Sequence, residues 1–168
     1  MRIDLITRRS DLNRLAQAWN ALLAEDCTAP AGMDATSGFE WACALIEAFL
    51  EDEQWLVVAA SDEHGVAGIL PLFWSRHRWP EADKGALSVL TELNGGGNGL
   101  LVRNGSAETL GAMLDHLHDE VPGWSRLNLR LVVGSRSQAL LESLYPCENA
   151  RLVKTGADAK DASSPYLL

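Results

Sequence analysis

Residues that could hold a ligand through the backbone are concentrated in the run NGGGNG at residues 94–99. Glycines let successive backbone N–H groups point into one concave surface, and such a surface binds anions. Asn94, Gly96 and Asn98 are therefore candidate substrate contacts. The same composition also suits a permissive loop between two short strands, because glycine adopts conformations closed to other residues. No lysine follows directly, which favours the loop interpretation.

Aromatic residues supply a second set of candidate contacts. The chain has six tryptophans, and indole rings stack on flat ligands such as sugars and on acyl chains. Trp41, Trp74 and Trp79 could line a substrate pocket. Trp79 lies in the polar segment RHRWPE, where an exposed contact to a partner is expected. Core packing is the alternative for the tryptophans in apolar segments, which are Trp19, Trp41, Trp55 and Trp124.

Metal-ligand spacing is incomplete in the sequence: His116 and Glu120 have ligand spacing, but no third ligand is evident. His116 and His118 lie two positions apart on a predicted helix and point about 200° apart, so they cannot share an ion. The three cysteines are Cys27, Cys43 and Cys147. They are widely separated and form no CxxC pair, which is typical of reduced thiols in an intracellular protein. We therefore predict no metal.

The candidate contacts must be positioned by a sheet, and its clearest element is the segment WLVVAASDEHGVAGILPLFW at 55–74. Both alternating sets of the first strand are apolar, so this strand is predicted to be buried on both faces. Residues 62–65 supply a tight turn, in which Gly65 can take a positive φ. Pro71 has no N–H for a ladder, so we expect the second strand to be broken or bulged before Leu72.

Hydrophobic spacing places the other elements. A first strand at 3–5 precedes two helices, one capped by Ser10 and one over 39–50. The remaining predictions are strands at 86–93, 127–131 and 151–155, helices starting after Ser106 and Ser135, and an extended SSPYLL at the C-terminal end. The order is strand, helix, helix, three or more strands, helix, strand, helix, strand, strand. It differs from the regular alternation of a doubly wound nucleotide-binding fold.

Length and charge limit the class of protein. The 168 residues, 47% of them hydrophobic, are enough for one domain with a real core. The net charge of −9 argues against nucleic acid and against attraction to anionic lipid. No stretch approaches the roughly 18 apolar residues of a membrane span, and the start MRIDLITRRSDL has no signal-type apolar core. We expect a cytoplasmic protein with no nucleic-acid partner and no membrane span.

Three segments resemble one group of GCN5-related N-acyltransferases (GNAT): the helix GFEWACALIEAFL, the hairpin containing GVAGILPL, and the closing SPYL. This group comprises bacterial acyltransferase-like proteins linked to cellulose and other exopolysaccharide synthesis, and it is related to the tandem Fem-type aminoacyl transferases. The resemblance covers about residues 19–168. It implies an α/β (α+β) fold with a mixed, mostly antiparallel central sheet and helices on both faces.

The resemblance also implies a donor, an acceptor and a domain organisation. The donor is acetyl-CoA or another acyl-CoA, and the acceptor is an amine or a sugar precursor. Members are about twice as long as this chain. Residues 1–168 are therefore expected to form a single GNAT-like domain, the N-terminal half of a tandem protein, with a second such domain or a homodimer as partner.

Cofactor-binding residues follow from the resemblance too. The family's pyrophosphate loop reads Q/R-x-x-G-x-G/A, and its place here holds VRNGSA at 102–107, with one arginine and one glycine at a different spacing. The implied cofactor-binding residues are Arg103, Gly105 and Ser106, because backbone N–H groups at a helix N-terminus bind phosphate.

Acid–base residues for the transfer stay unassigned. The family's chemistry uses a base for the amine and a Tyr or Ser near the leaving thiolate. Glu40, Glu92 and Tyr166 are conceivable, but no spacing ties them together. Two functions therefore stay open: an acyl-CoA N-acyltransferase-like domain, and a non-catalytic GNAT-like module that docks on a catalytic domain or partner.

Overall fold

A single mixed sheet organises the chain in this computed structural model, which describes residues 1–26, 38–51, 53–74, 85–94, 99–132, 136–144 and 163–167. Its strands are β1 (Arg2–Ile6), β2 (Trp55–Asp62), β3 (Gly65–Trp74), β4 (Gly85–Val89), β5 (Leu101–Val102), β6 (Trp124–Val132) and β7 (Ser163–Leu167). The helices are α1 (Arg9–Leu12), α2 (Ala16–Asp26), α3 (Phe39–Phe49), α4 (Ala107–Glu120) and α5 (Arg136–Leu144). Short 3-10 turns lie at Asn13–Leu15, Leu90–Asn94 and Arg103–Gly105.

The sheet has the strand order β1-β2-β3-β4-β6-β7, and β5 also pairs with β3. The pairing of β4 with β6 is parallel, and every other pairing in the described residues is antiparallel. The predicted mixed, mostly antiparallel α/β sheet is therefore confirmed.

Strand β2 separates two hydrophobic cores because successive side chains of a strand point to opposite faces. Its even-numbered residues 56–60 pack with α4 and α5, and its odd-numbered residues 55–59 pack with α2 and α3. No residue from 55 to 60 is more than 3% exposed. The predicted burial on both faces and the predicted helices on both sides of the sheet are confirmed.

Helix α4 forms where its cap and apolar spacing predict it. The Oγ atom of Ser106 accepts a hydrogen bond from the N–H of Thr109 at 3.2 Å, which satisfies a donor left open at the helix start. The predicted stripe is buried against the sheet; it consists of Leu110, Met113, Leu114 and Leu117. Gly68 on β3 permits this close seating, since a Cβ there would lie 2.6 Å from the Sδ atom of Met113.

Three boundaries differ from the sequence predictions. Ser10 does not cap the first helix, because the extended backbone of Arg8 precedes it and the Arg8 carbonyl accepts the first helical bonds. The helix predicted over 39–50 ends at Phe49, which is 66% exposed. The strand predicted over 86–93 ends at Val89. The strand predicted at 151–155 lies outside the described residues.

Strand β3 is unbroken at Pro71, so the predicted break before Leu72 is wrong. The N–H of Trp74 donates to the carbonyl of Gln54, ahead of β2, at 2.8 Å. Because N–H groups of a strand alternate in direction, the nitrogen of Pro71 faces away from β2.

The interruption lies instead in the neighbouring strand. On the side that the nitrogen of Pro71 faces, the pairing of β3 with β4 ends at Leu72 and Val89. The pairing of β3 with β5 begins at Ile69 and Leu101. Residues 90–94 and 99–100, which lie between these two pairings, are not in strands. The missing N–H of Pro71 therefore costs no ladder bond, since neither β4 nor β5 pairs with β3 there.

Within the described part of the chain, the helices are too short or too polar to cross a membrane.

Candidate functional site

The candidate site lies where the parallel strands β4 and β6 separate. Their pairing ends with Ser88 opposite Asn128. Beyond this point β4 turns into the 3-10 segment Leu90–Asn94, while β6 continues to Val132 along β7. No strand of the described residues pairs with the β4-facing edge of β6 after Asn128. The pairing of β4 with β6 therefore ends at this rung, and the place where the two strands separate is called the cleft below.

A polar bridge closes the last rung before this cleft. The Nδ2 atom of Asn128 donates to the Oγ atom of Ser88 at 3.0 Å, and Ser88 is 1% exposed. Leu87 and Val89, which flank Ser88, face the core beneath α4 and α5. Leu127 and Leu129, which flank Asn128, face the same core. Because strand side chains alternate, the bridge lies on the opposite face, toward α2 and α3.

The backbone before α4 leaves two N–H groups at the helix start open. Asn104 and Gly105 both have left-handed φ, of 53° and 61°. The N–H groups of Thr109 and Leu110 are bonded to Ser106, whereas those of Ala107 and Glu108 have no partner among the described residues. Free N–H groups at the positive end of a helix bind anions.

Arg103 is held by the hairpin between β2 and β3. Its Nη1 atom lies 3.2 and 3.3 Å from the two carboxylate oxygens of Asp62, and its Nη2 atom donates to the carbonyl of Val66 at 2.6 Å. The guanidinium is thus neutralised by a carboxylate and turned toward the hairpin. A role for Arg103 in binding phosphate stays a prediction, as it does for Gly105 and Ser106.

The surface beside this loop is rich in carboxylates. A cavity of about 550 Å³ is lined by Asp62, Glu63 and Glu108 together with Arg103 and Ser106. Three carboxylates around one arginine oppose an anion electrostatically. The backbone here therefore fits a phosphate, whereas the side-chain charges weaken its binding.

The hairpin carboxylate predicts an acid-dependent loss of stability. The N–H of His64 donates to Asp62 at 2.8 Å; this bond, aided by Arg103, holds the pKa of Asp62 below its ordinary value of 3.8. The pKa of Asp62 is lower in the folded than in the unfolded protein, so ionised Asp62 stabilises the fold above its unfolded pKa. This stabilisation is lost as the pH falls through the folded pKa.

Denaturation by urea between pH 6 and pH 3 tests this directly. The Asp62→Asn variant should lose less stability than the wild type over this range. His64→Ala keeps the backbone donor and should retain most of the wild-type acid dependence. Equal pH dependence of wild type and Asp62→Asn would contradict the prediction.

Trp74 lies far from the loop at 103–106. It ends β3, its ring packs over Gly85, and it lines a second cavity of about 490 Å³. Arg103 contacts β3 at Val66, eight residues earlier, which is about 25 Å along an extended strand. Trp74 and Arg103 are therefore not brought together, and a substrate contact by Trp74 stays a prediction.

The other predicted contacts are only partly described. Asn94 ends the 3-10 segment after β4, and its side chain is not described. Trp79, Gly96 and Asn98 lie outside the described residues. The core interpretation holds for Trp19 and Trp55, each 1% exposed, whereas Trp41 is 42% exposed.

The three conceivable acid–base residues occupy different places. Glu40 lies on the exposed side of α3 and accepts a hydrogen bond from Asn20 at 3.1 Å, which ties α2 to α3. Glu92 is half-buried in the 3-10 segment that follows β4 at the cleft. Tyr166 is in β7, opposite Leu129 on the far edge of β6. The structure therefore brings Glu92 to the cleft and leaves Glu40 away from it.

Metal-binding groups and reactive thiols do not stand out. No group of three His, Cys, Asp or Glu side chains in the described residues could hold a metal ion. Burial raises the pKa of the half-buried Cys43 thiol, which keeps it protonated. Cys27 and Cys147 lie outside the described residues.

The bridge between Ser88 and Asn128 was missed by sequence reasoning. Asn128 occupies a position between leucines that alternation assigns to a solvent-facing side chain. A signal was present in the serine of the apolar strand segment ALSVL at 86–90, because a polar residue in a buried strand needs a hydrogen-bond partner.

Comparison with known proteins gives a fold and no closer relationship. No family model and no curated protein matches the chain. Among solved structures, an acetyltransferase from Thermus thermophilus superposes with a TM-score of 0.55 and 16% identity, over 100% of this chain and 97% of that one. Arabidopsis thaliana NAA60 in complex with acetyl-CoA gives 0.53 and 12%, over 99% of both chains.

A GNAT-family acetyltransferase from Streptococcus pneumoniae is also similar, with a TM-score of 0.51 and 14% identity, over 99% of this chain and 97% of that one. The chain therefore has the α/β fold of the GNAT acetyltransferases. At these identities the similarity concerns the fold alone, which confirms the fold expected from the resemblance.

Proposed function

We propose that this chain is an acyl-CoA-dependent N-acyltransferase domain. The observation that carries the proposal is the separation of β4 and β6 beyond Ser88 and Asn128, combined with a helix start whose N–H groups are open. We propose that the acceptor is an amine of a polysaccharide precursor. The reaction is proposed to take place in the cytoplasm. Residues 1–168 form one such domain, and the full protein carries a second.

The distance between loop and cleft suits an acyl-CoA. Val102, just before the loop, pairs with Gly68, and Ser88 pairs with Phe73. From Gly68 to Phe73 the strand covers about 17 Å. The arm of coenzyme A between the diphosphate and the sulfur contains about a dozen consecutive bonds, as many as about four residues of polypeptide backbone. Fully extended, it therefore spans about 14 Å. A diphosphate at the start of α4 is therefore compatible with a thioester at the last rung.

Three parts of the chain would hold the donor. The N–H groups of Ala107 and Glu108 would bind phosphate oxygens. The unpaired edge of β6 would bond the amides of the arm, as an added strand does. Bound acyl-CoA supplies an activated carbonyl: the amine nitrogen bonds to the carbonyl carbon, the carbon–sulfur bond breaks, and the proton lost by nitrogen balances the one gained by the thiol.

The second candidate, a non-catalytic docking module, is favoured by one observation. Arg103 is paired with Asp62, in a cavity that two further carboxylates line. A domain that had lost its donor would retain the fold without a free cation at this loop.

Isothermal titration with acetyl-CoA at low salt separates the two candidates. Binding in the micromolar range supports the transferase, and acetylation of a primary-amine panel (spermidine, an alanine-initiated peptide and glucosamine) then identifies the acceptor. Spermidine and alanine are chosen because two similar structures are a spermidine N-acetyltransferase and a ribosomal-protein-alanine N-acetyltransferase. Absence of binding at millimolar acetyl-CoA would refute the proposal and favour the docking module.

Asp62→Asn should strengthen acetyl-CoA binding. The substitution removes a carboxylate from the cavity and releases Arg103 for phosphate. A change of about 1 kcal/mol, typical of a partly exposed charge pair, corresponds to roughly fivefold in the dissociation constant. Asp11→Asn is the matched control, because Asp11 also pairs with an arginine, at 3.5 Å, but does not line this cavity. Weaker binding by Asp62→Asn would show that Arg103 serves only to anchor the hairpin.

A further inference from the structure

An unpaired buried oxygen marks the cleft. The Oδ1 atom of Asn128 is shielded from solvent and has no hydrogen-bond partner in the described part of the chain. Buried polar atoms normally have partners. We propose that Asn128 binds the acceptor substrate, with Oδ1 accepting a hydrogen bond from the N–H of its amine; that the ligand is an amine rests on the proposed function.

The chemistry of the amide selects an N–H donor. One N–H of the Asn128 Nδ2 atom donates to the Oγ atom of Ser88 at 3.0 Å, whereas the carbonyl oxygen Oδ1 has no partner in the described residues. A carbonyl oxygen accepts hydrogen bonds and cannot donate them. A ligand that satisfies it must therefore present a hydrogen, as an amine does and as a carboxylate or phosphate does not.

Asn128 lies at the border of the covered part of its sheet face. Asn128 lies on the face of the sheet that α2 and α3 cover over β2 and β3. The core beneath these helices includes no residue of β6. The face of β6 that carries Asn128 is therefore outside that core, and the side chain is half-buried at the rung where the cleft begins.

Thr91 provides a structural comparison. Its hydroxyl is also buried and unpartnered, and the residue is 3% exposed. The oxygen lies close to Gly99, since a Cβ on that glycine would be 3.1 Å from it. Thr91 belongs to neither strand of the last rung. Its hydroxyl is therefore a control for a buried, unpartnered oxygen outside the proposed contact.

Two sources of an N–H could reach Asn128: the acceptor amine, or an amide of the donor's arm. Heteronuclear NMR of the full chain distinguishes them through the side-chain amide signal of Asn128, assigned by its loss in Asn128→Leu. n-Butylamine and acetyl-CoA are titrated separately. We expect the signal to shift with butylamine and, since the proposed thioester ends at the same rung, to shift less with acetyl-CoA alone.

Each other outcome is decisive. A larger shift with acetyl-CoA alone than with butylamine would assign Asn128 to the donor and overturn the inference. No shift with butylamine, while acetyl-CoA moves other signals, would overturn it and leave the proposed function intact. A shift with butylamine, while acetyl-CoA moves nothing, would support it and refute the proposed function.

Kinetics of acetyl transfer to butylamine test the same contact in variants. Asn128→Leu should raise the KM for the amine at least tenfold, with the dissociation constant of acetyl-CoA changed less than twofold. Asn128→Asp keeps an acceptor oxygen and should hold the KM within threefold of wild type. Thr91→Val should change neither constant. A wild-type KM in a folded Asn128→Leu protein would contradict the inference.

Discussion

Replacing Trp19 with alanine is expected to lower the free energy of unfolding by about 3–5 kcal/mol, the range for a large aromatic residue removed from a core. Trp19 on α2 is 1% exposed. Its ring meets that of Phe39 edge to face, with the ring centroids 5.9 Å apart. It therefore joins the two helices that cover one face of the sheet, and its loss leaves a cavity that the surrounding helices and sheet close only in part.

Trp41→Ala is the matched control for this prediction. Trp41 is on α3 and is 42% exposed, so its removal should change stability by less than about 1 kcal/mol. Equilibrium denaturation in urea, followed by tryptophan fluorescence and by circular dichroism, measures both variants. Equal losses for the two would mean that Trp19 is not the central residue of this core.

Gly68→Val should destabilise the protein by about 2–3 kcal/mol through overpacking. A Cβ at this position of β3 would lie 2.6 Å from Met113 Sδ and 3.0 Å from Thr109 Cγ2. Both are side-chain atoms of α4, so these side chains and, where they cannot give way, the helix must shift. We expect the start of α4 to shift with them, and acetyl-CoA binding should weaken in parallel.

Gly111→Ala is the control on the same helix. A Cβ there meets nothing within 4 Å, and alanine is a better helix former than glycine by about 1 kcal/mol, so this variant should be stabilised. Adding Met113→Ala to Gly68→Val should restore part of the lost stability, because the contact at 2.6 Å is removed. Gly68→Val with wild-type stability would show that α4 is not seated on this glycine.

Elements with a strong local pattern could be predicted from the sequence. The hairpin of β2 and β3 has two apolar faces and a turn in which Gly65 has φ of 105°, and α4 has both a capping serine and an apolar stripe. In each case the deciding interactions involve residues close in sequence, so periodicity and turn chemistry were sufficient.

The break opposite Pro71 could not be placed in the same way. A proline in a strand indicates a missing ladder bond, but the sequence does not say toward which neighbour its nitrogen points. The pairing with Val57 leaves β3 intact, and the interruption lies between β4 and β5. That choice depends on strand order, which is a property of the whole sheet.

The residues of the candidate site also fall into two groups, those set by local sequence and those set by tertiary contacts. The sequence by itself determined the loop at 102–107, the helix that follows it and the two-sided sheet, because each depends on local spacing. Only the tertiary structure decided that Arg103 is bound by Asp62, 41 positions away, and that Asn128 bridges to Ser88, 40 positions away. Such contacts are set by strand register and by the packing of distant segments, and no local pattern records which side chains the folded sheet will bring together.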